Sequence, residues 1–151
     1  MGYLILKYLH VLLAITAVGS NITYAAWNAR APREPEHLGF ALRGIKFIDD
    51  RIANPCYGLL LLTGLALTFV GSWHTSWPRW IVSGLVLYVV VIVIALAGYS
   101  PALRRQIDAL DAEGDRSAGY LKWSRRARVT GIATIPFILA IVFLMVVKPP
   151  I

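Results

Sequence analysis

YLILKYLHVLLAITAVGSNITYAAWN, residues Tyr3–Asn28, is the stretch whose reading decides the fold. Its first half is apolar apart from Lys7 and His10, and its second half brings in Asn21, Tyr24 and Asn28. At about 100° per residue, His10, Ala14, Ala17, Asn21, Tyr24 and Asn28 fall in a narrow stripe along one helix face. About 20 apolar residues suffice to cross a bilayer as a helix. Lipid offers no partner for free backbone N–H and C=O groups, so a helix that lives there satisfies them internally. A spanning helix with one polar face turns that face toward protein or a cavity, because ionisable groups are costly against lipid.

Three more runs follow the first. The four predicted spans are residues 3–28, 55–70, 77–99 and 129–147. None shows the period-two alternation of a membrane β-barrel. The chain is 58% hydrophobic and only 15% charged, and its mean hydropathy is +0.64. With 151 residues there is room for one domain. The expectation is therefore an all-α protein, a four-helix transmembrane bundle with cytoplasmic amphipathic helices, forming a single integral membrane domain over residues 1–151. Tyr24-Ala25-Ala26 is weakly like a signal-cleavage site. No basic segment precedes the apolar core, however, and the first run is read as a retained span.

Charge sets the orientation. The first connection holds Arg30, Arg33, Arg43, Lys46 and Arg51. The third holds Arg104, Arg105, Arg116, Lys122, Arg125, Arg126 and Arg128. Only Lys7, Arg79 and Lys148 fall on the other side, and all the acidic residues lie in the two charged connections. The positive-inside rule then puts both connections in the cytoplasm and both termini outside, as expected for a bacterial inner (plasma) membrane protein. The net charge of +7 is explained by orientation and anionic lipid rather than by nucleic acid. On the outer side, Trp73, Trp77 and Trp80 read as an interfacial belt.

The charged connections also carry helical patterns. Leu38, Ala41, Leu42, Ile45, Ile48 and Ile52 recur at helical spacing, an amphipathic helix lying on the inner leaflet or against the bundle. Asn54-Pro55 reads as N-cap and first residue of the second span. Pro101 starts and Gly114 ends a segment with the apolar edge Leu103, Ile107 and Leu110, where Arg104 and Asp108 stand four apart. Ser117 is a candidate N-cap for a helix running into the fourth span, Pro136 is a candidate kink in it, and Lys148-Pro149-Pro150 ends it. Gly58, Gly64, Thr68 and Gly71, with Gly19 and Thr23 in the first span, are candidates for close helix contacts.

The candidate site residues start from His10, the only histidine within a span. It is either a ligand, since neutral imidazole is a common ligand of haem iron, or a buried imidazole hydrogen-bonded to a neighbouring helix. Met145 and His74, both at the outer side, are the candidate second ligands; a partner subunit is the other source. The polar stripe Asn21, Tyr24 and Asn28 is the second group of candidates. Cys56 is the one cysteine and reads as a small hydrophobe. Copper transport is poorly served by two methionines, one of them Met1.

Lys7-Tyr8-Leu9-His10-Val11-Leu12, with Ala17-Val18-Gly19, resembles the start of a family of bacterial four-helix integral membrane proteins of unknown function. Phe143-Leu144-Met145-Val146-Val147-Lys148-Pro149 resembles that family's close, and the Pro55 and Gly64 region also fits. More distantly, the Leu9-His10 first helix and the Lys148-Pro149 ending are similar to the HemJ-type protoporphyrinogen oxidases and the CopD-type membrane proteins. The HemJ-type likeness implies haem b held by His10 and makes Lys148 a further candidate functional residue. It does not imply a particular reaction.

Three readings stay open at this point. One is a haem-b-binding redox or electron-transfer protein. Another is a cofactor-free accessory or assembly subunit of a larger membrane complex. The third is a small channel or transporter formed as a homo-oligomer, with the first helix's stripe along its path. No metal other than haem iron is expected, and the lipid bilayer is the partner common to all three.

Overall fold

The computed structural model describes residues 1–71, 73 and 76–150. Every regular element among them is helical: α1 (Gly2–Arg30), α2 (Leu38–Ile48), α3 (Asn54–Val70), α4 (Arg79–Val93), α5 (Ser100–Glu113) and α6 (Ala118–Val147). Two 3₁₀ turns, Ala31–Arg33 and Pro35–His37, join α1 to α2. Four helical stretches, Gly2–Arg33, Pro35–Val70, Arg79–Glu113 and Ala118–Val147, are long and apolar enough to cross a membrane. Large apolar side chains such as Ile15, Leu62, Val86 and Leu139 stand exposed along them, the outward dress of a protein solvated by lipid.

The Asn54-Pro55 start expected for the second span is not a start. α2 continues into α3 through a π turn, Asp49–Ala53. The physical reason is that proline lacks an N–H and crowds the carbonyl one turn back. A widened turn just before Pro55 accommodates both effects without ending the helix. The same device recurs at Pro101: α4 runs into α5 through the π turn Ile94–Tyr99. α6 runs unbroken through Pro136. The amphipathic segment lies against the bundle, with Leu38, Ala41, Leu42 and Ile45 buried.

Other local signals act as the residues dictate. Ser117 accepts the Tyr120 N–H at 3.0 Å and caps α6, as a serine side chain does for an exposed helix N-terminus. Gly114, with φ 85°, closes α5 in a conformation that costs glycine little. Lys148 ends α6 in the left-handed region, φ 48°, just before the two prolines.

α1 packs along α3, and α4 along α6. The two pairs scarcely touch each other along the spans and are tied mainly at one end, where α2 lies on α5. That charged end holds the main core, built on Leu38, Leu42, Ile45, Leu103, Tyr99 and Tyr120. At the opposite, tryptophan end a smaller cluster gathers Trp80, Ile81 and Leu144 with Trp73 and Trp77 around them. A seam between the pairs therefore runs the length of the bundle.

Candidate functional site

The seam opens into two cavities, and the polar stripe of α1 divides between them. The cavity toward the tryptophan end has a volume of about 650 Å³. His10 and Ala14 of α1, Gly64 and Thr68 of α3, Gly84 and Tyr88 of α4 and Met145 of α6 all line it. Its size lies within the range of small-molecule sites, and its walls are almost wholly apolar around a few polar groups, as such sites are. The second cavity, about 610 Å³, takes Asn21, Tyr24 and Asn28 together with Arg33, Asp49, Tyr57, Tyr99 and Arg128.

His10 is oriented by α3. Its Nδ1 lies 2.9 Å from Thr63 Oγ1. The Thr63 hydroxyl is also 2.8 Å from the Leu59 carbonyl; when it donates there, its oxygen accepts from Nδ1–H of His10. Nε2 is then the nitrogen with a free lone pair. A histidine whose second nitrogen is fixed in this way is arranged as metal-ligating histidines are. The absence of a side chain at Gly64 makes room for the ring: a Cβ there would stand 3.1 Å from His10 Cε1. Met145 is seated in the same manner, since a Cβ at Gly84 would stand 2.5 Å from its Cε. Gly19 and Gly58 meet no neighbour within 4 Å, so they are not the close helix contacts expected of them.

Between the cavities lies a polar partition. Asn21 donates from its amide to the Tyr57 hydroxyl and to the Ala17 carbonyl, and the Tyr88 hydroxyl donates to the Tyr57 carbonyl. Farther toward the charged end, Tyr24 and Tyr99 stack with ring centroids 5.9 Å apart. Both are buried, and their hydroxyls reach no hydrogen-bond partner among the described residues, although Asn28 lies near that of Tyr99. Asp49 accepts the Ser100 hydroxyl at 2.6 Å.

The structure thus brings His10 and Met145 to one cavity and Asn21, Tyr24 and Asn28 to the other. Lys148 lines neither. Its ammonium sits over the rings of Trp73 and Trp80, 5.7 Å and 5.5 Å from their centroids. His74, the other candidate ligand, lies outside the described residues. No group of three or more His, Cys, Asp or Glu able to hold a metal occurs among the described residues; an axial pair on a haem iron is a different arrangement and needs no such group.

Sequence reasoning missed Thr63, which orients His10, Gly84 and Tyr88 in the first cavity, and Arg33, Tyr57, Tyr99 and Arg128 in the second. Thr63 stands on α3 without any stripe to mark it. Gly84 sits inside a strongly apolar run, where a glycine that no bulky neighbour explains is the one signal that was readable.

The family described as "Predicted integral membrane protein (DUF2269)" matches residues 4–149 of the chain, which belongs to it. No curated protein and no solved structure matches the chain.

Proposed function

We propose that this integral membrane protein binds an iron porphyrin of the haem b type in the cavity at the tryptophan end, and serves as a membrane redox or electron-transfer protein. The observation that carries this reading is that His10 and Met145, from helices at opposite ends of the sequence, line one apolar cavity of about 650 Å³. The residues fit the group. His10 offers a neutral imidazole with Nδ1 fixed by Thr63, and Met145 offers a thioether, a ligand that raises the potential of haem iron. Gly64 and Gly84 supply the clearance around both side chains. Lys148, at the same end of the bundle, offers a cation to the acidic side groups of a porphyrin.

When bound, haem supplies one-electron exchange. The protein's own part is to hold the ring in an apolar setting, to keep Nε2 unprotonated through the Thr63 contact, and to exclude water with Trp77, Ile81 and Tyr88. Asn21, Tyr57 and Tyr88 form the polar boundary on the side of the second cavity. In this reading the protein sits in a bacterial inner membrane with both termini outside, on the strength of the positive charge gathered in its first and third connections.

The test is a visible absorption spectrum of protein purified from cells supplied with haem. The expected result is a Soret band that disappears in His10→Ala and persists, with altered reduced-state bands, in Met145→Leu. A colourless wild-type protein overturns the proposal and leaves the accessory-subunit and channel readings. A coloured His10→Ala protein overturns the assignment of His10.

A further inference from the structure

The second cavity carries an inference that does not depend on what fills the first. It separates α1 from α6, two helices that make few contacts with each other. Its edges are Ala25 and Ala29 on α1 and Ile132 and Ile135 on α6, all four exposed on the lateral surface of the bundle. In a membrane that surface faces lipid, so the cavity is entered sideways, from the bilayer. Toward the charged end it is lined by Arg33 and Arg128. The ion pairs of that end join Arg30 to Glu34, Arg43 to Asp111 and Lys46 to Asp50. Neither Arg33 nor Arg128 takes part in an ion pair among the described residues. Within the walls, Tyr24 and Tyr99 are only 5% and 8% exposed; among the described residues the Tyr24 hydroxyl has no hydrogen-bond partner, and the Tyr99 hydroxyl has only Asn28 near it.

A buried hydroxyl without a partner costs stability, and the exposed guanidiniums of Arg33 and Arg128 at the cavity's mouth are free to take an anionic group. One class of molecule answers both. It has a phosphate, for which the guanidinium fork is well suited. It has ester carbonyls, which accept hydrogen bonds and donate none, as a phenol donor requires. It also has acyl chains that fill apolar space. The one carboxylate lining the cavity, Asp49, is 4% exposed and engaged by Ser100, with Lys46 close enough to offset its charge. It therefore does not cancel the two arginines.

We infer that the cavity between α1 and α6 is a binding site for an anionic phospholipid, its phosphate at Arg33 and Arg128, its ester region toward Tyr24 and Tyr99, and its chains leaving between Ala25, Ala29, Ile132 and Ile135. The charge of the headgroup decides the preference over zwitterionic lipid.

The experiment uses the full chain, purified in a mild detergent and delipidated, with added lipid read both by native mass spectrometry and by thermal unfolding. Phosphatidylglycerol is expected to remain bound and to raise the unfolding temperature by several degrees, and phosphatidylcholine to do so far less. Arg33→Gln with Arg128→Gln should abolish that difference. Arg116→Gln with Arg125→Gln, equal in charge but away from the cavity, should leave it. Ala29→Trp, which fills the opening without touching charge, should block retention and also serves if the arginine pair fails to fold. Equal retention of both lipids, or equal loss in the two arginine pairs, overturns the proposal. The same shift from inorganic phosphate or from a free fatty acid would assign the site to a bare oxyanion or a simple carboxylate and overturn the phospholipid.

Discussion

The two ends of the bundle are built on different principles. At the charged end, α2 and α5 close the gap between the helix pairs with a packed core, and Arg30, Arg43 and Lys46 pair with acidic residues at its rim. At the tryptophan end the same pairs stand apart around an apolar cavity, in which His10 and Met145 are seated beside glycines. Close packing holds the first end together, whereas the second is a vessel whose walls leave room for something else. Functional clefts are drawn from the least tightly packed parts of a fold, and the proposed site at His10 and Met145 lies in such a part.

The comparison breaks first, and with the largest effect, at the core. Leu42 and Leu103 are 1% and 0% exposed. Truncating either to alanine should cost about 2–5 kcal/mol, the range for buried leucines in a core that collapses incompletely. Leu65→Ala and Leu85→Ala, on the wall of the first cavity, remove side chains that already face empty space. They should cost less than about 2 kcal/mol, because fewer contacts are lost. Denaturation of the four variants in one detergent measures the gap. Equal losses at both ends would mean that the cavity wall bears on stability as the core does.

The partition between the cavities gives the next largest effect. Tyr57→Phe takes away one of the two acceptors of the half-buried Asn21 amide and should destabilise the protein by about 0.5–1.5 kcal/mol, the net worth of one hydrogen bond. Tyr24→Phe removes a hydroxyl that has no partner among the described residues. In delipidated protein it should be neutral or stabilising, since no hydrogen bond is lost and a desolvated hydroxyl is. If Tyr24→Phe costs as much as Tyr57→Phe, the Tyr24 hydroxyl has a partner in solution.

These contrasts show which parts of the molecule were readable from its residues. The four apolar runs and the caps at Ser117 and Gly114 follow from lipid solvation and local backbone chemistry, so they are legible one stretch at a time. The stripe on α1 was legible as a stripe. That it serves two cavities was not, because the division is made by Tyr57 and Tyr88 on other helices. Pro55 and Pro101 misled for a physical reason: proline reads as a helix start, and only the adjoining backbone shows whether a π turn has absorbed it. His10 and Met145 could be named separately, but their shared cavity depends on α1 and α6 meeting across the seam, which no local pattern records.

A smaller effect tests the seating of His10. Gly64→Ala puts a methyl group 3.1 Å from Cε1 of the imidazole, tighter than an ordinary contact. The ring is held by Thr63 and must shift by a few tenths of an ångström, at a cost of about 1 kcal/mol, the low end for overpacking. Gly84→Ala meets the far end of Met145, which can swing away, so it should cost less. The imidazole ¹⁵N chemical shifts report the difference: they should move in Gly64→Ala and stay in Gly84→Ala. Unmoved shifts in both would mean that the ring is not seated against Gly64.

The smallest effect lies on the surface of the charged end. Arg43 and Asp111 join α2 to α5 through a contact of 3.1 Å, and both side chains are more than half exposed. An exposed pair gains little from attraction in high dielectric and gives up side-chain freedom, so Arg43→Ala should cost about 0.2–1 kcal/mol. Salt should erase that cost as the screening length falls below the reach of the pair. The leucine variants should keep their full penalty at any ionic strength, because packing carries no net charge to screen. Unfolding Arg43→Ala and Leu103→Ala at low and high salt separates the two contributions. A salt-independent loss in Arg43→Ala would mean that the aliphatic stem of the arginine contributes through packing, and that the packed core of this end extends outward past its buried leucines.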